Sequence, residues 1–418
     1  MRMIRDIALN CPTLFRFRKL WRIRRILIIV LIVPLLLFVL SSHDETLFTF
    51  DVTSGDRFIT VFSDDVWRNK TTKKILVWTT FFDSWEWYDD GNSCLNKSCP
   101  FKCEVTNDKD KITESDAVLF HPNDVWKYKG IPSYLYQSYI DMPRYRSRDQ
   151  VWIWYSMEPP IFLWGESKPN IFNWTMSFRR DSTIKMPYGT VREMTDEEKR
   201  KLYHESFEFG TNRKKMAVTL ISNCYDQAHR YRLIYELQKH GLETEVLGKC
   251  GLGKICTEFE NAHLNYNCME DHLGRYKFYI AFENSFCRDY ITEKFWLSLS
   301  RNQVPIVAWK FPAVGIVPPR SYINIFDFPS LKSAAEYIVS VSKNDTLYKS
   351  YFEWKRRYKI GGDLCNFCKV CKELHTKRPA QVYTDLEGWL RQDTCKKTGL
   401  KTLISTILSR VLYNLGLG

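Results

Sequence analysis

Several familiar signatures are missing from this chain of 418 residues. No G-x-G-x-x-G follows the strand-like run Met216–Ser222, so the turn that cradles a dinucleotide cofactor is absent. There is no zinc-finger spacing, arginine–aromatic repeat or recognition-helix pattern, and no nucleic-acid partner is expected. No internal repeat is visible, which excludes solenoid and propeller architectures. Finally, no A-x-A site follows the one long apolar run, although Val39 and Ser41 are weakly permissive; this argues against a cleaved leader.

What is present reads as globular protein: hydrophobic residues are 44 %, charged residues 26 % and aromatics 15 %, in a chain long enough for two domains. The net charge of +13 is uneven. Residues 1–25 hold eight Arg or Lys against Asp6, leaving a mild excess of about +6 elsewhere, suited to an anionic ligand. Ile26–Leu40 follows, fifteen apolar residues without a charge. At about 1.5 Å per residue it spans roughly 22 Å, short for a bilayer without help from its flanks. The basic cluster before it and Asp44-Glu45 after it predict a signal-anchor with the amino terminus in the cytosol.

The expected organisation is therefore a cytosolic tail (1–25), a transmembrane segment (26–40), a stem (41–72) and a lumenal body. Of thirteen Cys, Cys11 precedes the span, leaving an even twelve. Two clusters stand out, Cys94/Cys99/Cys103 and Cys365/Cys368/Cys371. With His375 the second has zinc-ligand spacing, but an oxidising compartment favours disulfides, so no metal site is expected there. Sequons at Asn69, Asn96, Asn173 and Asn344 are candidate glycosylation sites.

Strand signals recur at Lys73–Phe82, Asp116–His121, Val151–Ser156, Met216–Ser222, Glu243–Leu247 and Val304–Trp309. Helical patterns lie at Ser133–Met142, Ala228–His240, Leu331–Ser342 and Leu347–Lys359, and the charged run Arg192–Lys201 reads as the start of a surface helix. Such alternation predicts parallel sheets covered by helices. The tail Lys396–Gly418 carries an amphipathic stripe whose default role is packing against the body.

One stretch organises the rest, Tyr276–Leu299. Its apolar run Phe278–Phe282 reads as a buried strand, polar residues break it, and a helical period begins at Tyr290. A strand that turns into a helix makes a ligand crevice at the carboxyl end of a sheet. Glu293 and Lys294 fall in the helix's first turn, where free N–H groups favour an anion; a solvated Glu–Lys pair is the plain alternative.

The pattern F-E-N-S-x3-D-Y-I-T-E-K over residues 282–294 resembles the signature of the α1,3-fucosyltransferases, glycosyltransferase family 10. The resemblance extends from about Lys73 to Cys371. It implies two Rossmann-like domains facing a cleft, the GT-B architecture, with an acceptor-side domain at 73–200, a GDP-fucose-binding domain at 201–372 and an extension at 373–418. It implies inverting transfer of L-fucose from GDP-fucose to N-acetylglucosamine of a glycan on glycoprotein or glycolipid, in the Golgi membrane. A catalytically inactive glycan-binding protein on the same fold is the alternative.

Such a transfer needs a base for the acceptor hydroxyl and positive charge for the departing diphosphate. Glu158, at the end of an aromatic strand in Tyr155-Ser-Met-Glu158-Pro-Pro160, matches the family's base; Pro159 stands where the family usually has Ser. From position alone Glu158 reads as a residue that caps the loop, and it is the resemblance that reverses this. Arg230 matches the family's diphosphate arginine when counted back from Leu237, with Arg232 in reserve. Asn284, Tyr290, Glu293 and Lys294 match the donor contacts, and Asn173–Ser182 with Pro187-Tyr188-Gly189 match the linking segment. Arg180 and Asp181 read as cleft residues or as a structural ion pair. The only D-x-D, Asp108-Lys-Asp110, lies in a charged loop and reads as solvated surface. No cofactor is required by this scheme, Mn2+ or Mg2+ stimulation is compatible with it, and a homo-oligomer stays open.

Overall fold

A computed structural model of the chain describes residues 59–61, 71–125, 142–147, 149–160, 170–202, 210–222, 228–248, 262–361, 365–376 and 382–392, all within the unit Phe58–Gly418. The expected cytosolic tail, the span Ile26–Leu40, most of the stem, the helix Ser133–Met142 up to its last residue, Asn69 and the tail Lys396–Gly418 lie outside these residues. Among the described residues no helix is long and apolar enough to cross a membrane. The expectation of a single-pass Golgi membrane protein is corrected accordingly.

Two parallel sheets form the body. The first draws on β1 (Lys73–Val77), α1 (Glu86–Ser98), β2 (Cys103–Thr106), β3 (Ala117–Phe120), β4 (Val151–Ser156), β5 (Trp174–Ser177) and β6 (Ile184–Lys185). Its strand order is β2-β1-β3-β4-β5-β6, parallel throughout. β3 and β4 are buried at every position, which explains their unbroken apolar sequence: a strand covered on both faces has no polar side to alternate with. Register sets Leu119 beside Ile153 and Ser156 beside Ser177.

The second sheet uses β7 (Lys215–Leu220), α2 (Arg230–Lys239), β8 (Thr244–Leu247), α3 (Ala262–Leu273), β9 (Tyr276–Ile280), α4 (Glu293–Ser300), β10 (Val304–Val307), β11 (Ile323–Asn324) and α5 (Leu331–Lys343). The order β8-β7-β9-β10-β11 is again parallel. α5 opens with a reciprocal Ser330–Ser333 capping box and buries Ala334, Ala335, Ile338 and Val341 on one face.

The chain then returns to the first sheet. α6 (Asn366–Thr376) lies on α1 and α7 (Leu386–Arg391) on the opposite face, around Trp152. Three disulfides, Cys94–Cys365, Cys99–Cys368 and Cys103–Cys371, tie α1 and β2 to α6. Gly91 sits mid-helix because Phe367 takes the space of its absent side chain; a Cβ there would fall 2.0 Å from that ring.

Local readings change in four places. Leu347–Lys359 is a short helix at Asp345–Ser350, a 3-10 turn at Glu353–Arg356 and a strand at Tyr358–Ile360. That strand pairs antiparallel with Val191–Glu193, so Arg192 starts in a strand and the surface helix begins at Asp196. The stretch that holds Cys94, which carries no strand or helix signal in the sequence, forms α1, a full helix. Asn173 is only 7 % exposed, and its Oδ1 accepts the Trp152 N–H at 2.9 Å and an N–H of Arg146 at 2.5 Å. The side chain of this sequon is thus buried and engaged between β4 and β5 rather than presented on the surface. Asn96 is exposed, and Asn344 is exposed while its Oδ1 caps the next helix at Leu347, leaving Nδ2 outside that bond.

Candidate functional site

Both sheets send functional side chains from their carboxyl ends. β4 runs through Ser156 and Met157 into Glu158, which is half-buried. The Glu158 N–H donates to Ser156 Oγ at 3.1 Å, which closes the turn after the strand. The Tyr188 hydroxyl donates to the Met157 carbonyl at 2.8 Å and holds the same turn from the other side.

On the second sheet β9 leads into Glu283, a residue that sequence reasoning passed over as a strand breaker. It is 5 % exposed and accepts two hydrogen bonds from Thr292, from N–H and from Oγ1, each at 2.7 Å. Thr292 is the residue before α4, so this carboxylate fixes where the helix starts. Lys294 follows in the first turn, its Nζ 3.0 Å from Thr292 Oγ1, 2.7 Å from Glu293 and 3.8 Å from Glu283. Burial alone would lower its pKa, but the Glu283 and Glu293 carboxylates outweigh burial and raise it. Lys294 is a fixed positive charge.

Between β9 and α4 the loop carries groups with unmet demands. Asn284 Oδ1 and Ser285 Oγ are buried and have no hydrogen-bond partner among the described residues. Orphans of this kind ask for a ligand. Ser285, Tyr290, Trp309, Lys310 and Pro312 line a small pocket at the ends of β9 and β10. The Asn284 carbonyl accepts the Ala228 N–H at 3.3 Å, which brings the start of α2 to this loop. Arg230, the first residue of α2, is 3 % exposed, whereas Arg232 is exposed. The inward arginine is thus Arg230.

Tyr290 lines that pocket from the interior. It is a buried wedge, 4 % exposed, with its ring 4.9 Å from Phe178 and 6.1 Å from Tyr188, both from the first half of the chain. Burial, then Tyr188 and the carboxylates of Glu158, Glu283 and Glu293, raise its pKa. The two halves meet elsewhere too. Arg180 donates to Asp289 from its backbone N–H at 3.1 Å and from Nε at 3.0 Å, and Arg288 donates to Asp181 at 2.7 Å. Arg180 and Asp181 thus each form an ion pair with the loop between β9 and α4, Arg180 with Asp289 and Asp181 with Arg288, while Arg179 also holds Asp181 at 2.6 Å. Gly189 touches Trp296 of α4 so closely that a Cβ would fall 2.2 Å from the indole.

Glu158 and the first turn of α4 influence each other's charge. Burial raises the Glu158 pKa, the Lys294 charge opposes that, and Glu293 adds to it; the net shift is upward. Glu158, Tyr290, Glu293 and Lys294 therefore form one electrostatic group, with Arg230 and Asn284 on the adjoining loop and helix. Asp108 caps its own turn by accepting the Asp110 N–H at 3.1 Å, and both carboxylates are exposed. Among the described residues the one cluster of metal-ligand types is Cys103, Cys371 and His375, whose two sulfurs are bonded to each other. That leaves no thiolate for an ion.

Comparison with known proteins adds the following. The C-terminal model of glycosyltransferase family 10 (fucosyltransferase) matches residues 210–389, and the fucosyltransferase N-terminal model matches residues 70–189. Alpha-(1,3)-fucosyltransferase fut-6 of Caenorhabditis elegans is 31 % identical over 302 residues, covering 70 % of this chain and 74 % of that protein. Glycoprotein 3-alpha-L-fucosyltransferase A of Drosophila melanogaster is 34 % identical over 307 residues, covering 71 % of this chain and 56 % of that protein. Alpha-(1,3)-fucosyltransferase 7 of Mus musculus is 30 % identical over 329 residues, covering 77 % of each.

Proposed function

Because this chain belongs to glycosyltransferase family 10, the fucosyltransferases, we propose that it transfers L-fucose from GDP-fucose in α1,3 linkage to N-acetylglucosamine of a glycan, with inversion, on a GT-B scaffold. The observation that carries this reading is the match of the family's two models to residues 70–189 and 210–389, which hold Glu158 at the carboxyl end of one sheet and Lys294 in the first turn of the helix that opens from the other. In one displacement the acceptor oxygen attacks the anomeric carbon, its proton passes to the Glu158 carboxylate, and the bond to GDP breaks. Lys294 and Arg230 take the charge that grows on the leaving diphosphate. Glu283 holds Lys294 and the start of α4 in place for that task. Asn284, Glu293 and the buried Tyr290 complete the donor side.

The acceptor is a glycan on protein in the name of the fruit-fly relative, while the other two names leave it unstated. We propose N-acetylglucosamine of an N-glycan core or antenna. Labelled GDP-fucose offered with N-glycan core, LacNAc and LacdiNAc acceptors, with and without EDTA, tests the reading. Transfer to one class that survives EDTA supports it and the cationic leaving-group assistance together. GDP-fucose binding without transfer to any acceptor would favour the glycan-binding alternative, and absence of donor binding would overturn the site.

A further inference from the structure

The loop that leaves β1 contains a feature that the donor site does not use. Phe81 and Ser84 exchange both backbone hydrogen bonds, N–H to carbonyl, at 3.0 and 3.1 Å. The two residues between them, Phe82 and Asp83, have φ of 49° and 66°. Two-residue turns of this hand normally carry Asn, Asp or Gly, and a bulky ring there is strained by about 1–2 kcal/mol. The Phe82 ring is also left 49 % exposed. A strained backbone that holds an apolar ring in solvent serves neither the core nor the turn, and such outliers concentrate where a ligand is met.

The surroundings hold the turn firmly. Asp124 Oδ2 accepts the Phe82 N–H at 2.8 Å and lies 2.8 Å from His121 Nδ1. Both supports are buried, His121 at 1 % and Asp124 at 7 % exposure. The imidazole meets the Phe81 and Phe82 rings edge-on, at 4.6 and 4.8 Å. Its Nε2 has no hydrogen-bond partner among the described residues. Phe81 in turn packs 5.4 Å from Tyr155, on the strand that delivers Glu158. This assembly occupies the carboxyl edge of the first sheet, the edge from which the base emerges.

We propose that Phe82 is a stacking platform for a sugar ring of the acceptor glycan, held rigid by the His121–Asp124 pair. This rests on the fucosyltransferase reading. If Glu158 takes the proton of the acceptor hydroxyl, the acceptor must lie across this edge. Among the described residues, Phe82 is the exposed large aromatic on the loops leaving that edge; Phe326 belongs to the second sheet and Tyr145 precedes β4. The C–H face of a pyranose is apolar and flat enough to cover such a ring, and a ring fixed in advance loses little entropy on binding.

The test compares Phe82→Asn, which suits the positive φ, with Phe82→Trp, which keeps an aromatic face. Phe82→Asn raises the acceptor KM about tenfold, with kcat and the GDP-fucose KM within about twofold, the pattern of a lost uniform-binding contact. Phe82→Trp restores most of that loss. An acceptor KM unchanged in Phe82→Asn, or a donor KM that rises in parallel, overturns the proposal. Calorimetric titration of the same glycans onto GDP-saturated protein separates it from the transfer reading. If wild type binds glycan and Phe82→Asn binds about tenfold more weakly, the platform stands even where no fucose is transferred. If both bind alike, or neither binds, it falls.

Discussion

Glu158 and Lys294 make each other's chemistry measurable. The Glu158 carboxyl titrates above the ordinary range because burial outweighs the Lys294 charge. A base must be deprotonated, so transfer is complete above its pKa and lost as pH falls through it. The acid limb of kcat/KM should therefore lie above the ~4.3 of an unperturbed glutamate. Lys294→Met removes the opposing charge. The limb should move further up in that variant, and GDP should bind about tenfold or more weakly. A pH-rate profile of both proteins checks the pairing, and a limb that stays or moves down in Lys294→Met contradicts it. Glu158, Arg230 and Lys294 are candidates because the family pattern marks them. Glu283 was not one, although it stands inside the same pattern. A polar residue after an apolar run looks like a strand end, and only folding places Thr292 over its carboxylate. Asn173 is the converse: its sequon is intact, yet the side chain is spent on Trp152 and Arg146.

At the scale of elements, the parallel strands were legible because burial on both faces writes itself as a continuous apolar run. The strand pair Val191–Glu193 with Tyr358–Ile360 was not, since both strands are short and charged and the partners lie far apart in the chain. The contact of Gly189 with Trp296 was equally invisible, because a glycine in a loop has many explanations. It yields a sharp expectation. Gly189→Ala pushes a methyl group into the indole and must displace either the Tyr188 segment or the first turns of α4. We expect a loss of roughly 1–3 kcal/mol in urea unfolding. We also expect weaker GDP binding, because Lys294 rides on the same helix. Full stability with full donor affinity would show that the contact yields freely.

At the largest scale, among the described residues, α6 and α7 return the chain to the first sheet. The two cysteine clusters announced disulfides, but their parallel pairing needed the fold, which lays α6 along α1. The three bonds span sequence separations of 271, 269 and 268 residues, nearly the same loop. Any one of them is backed by its neighbours, so the double variant Cys99→Ser/Cys368→Ser should cost only about 2 kcal/mol. Replacing all six of these cysteines by Ser frees the long loop as well and should cost about 5 kcal/mol more in the chain-entropy account. Urea midpoints of the native, double-variant and sixfold-variant proteins, all kept oxidised so that the disulfides of Cys268 and Cys287 stay intact, check this. Equal losses for one bond and for three would mean that α6 docks without its covalent ties.

These scales converge on Glu158, which lies on one sheet and answers to a lysine carried by the other. The most direct test is the single-turnover rate of fucose transfer from GDP-fucose by Glu158→Gln, measured beside wild type with donor bound to saturation. The substitution keeps the shape and removes the base. A rate reduced about a hundred- to ten-thousandfold, with GDP affinity unchanged, is the predicted result. A rate within a few-fold of wild type would contradict the account, because the proton of the acceptor hydroxyl would then leave by another route.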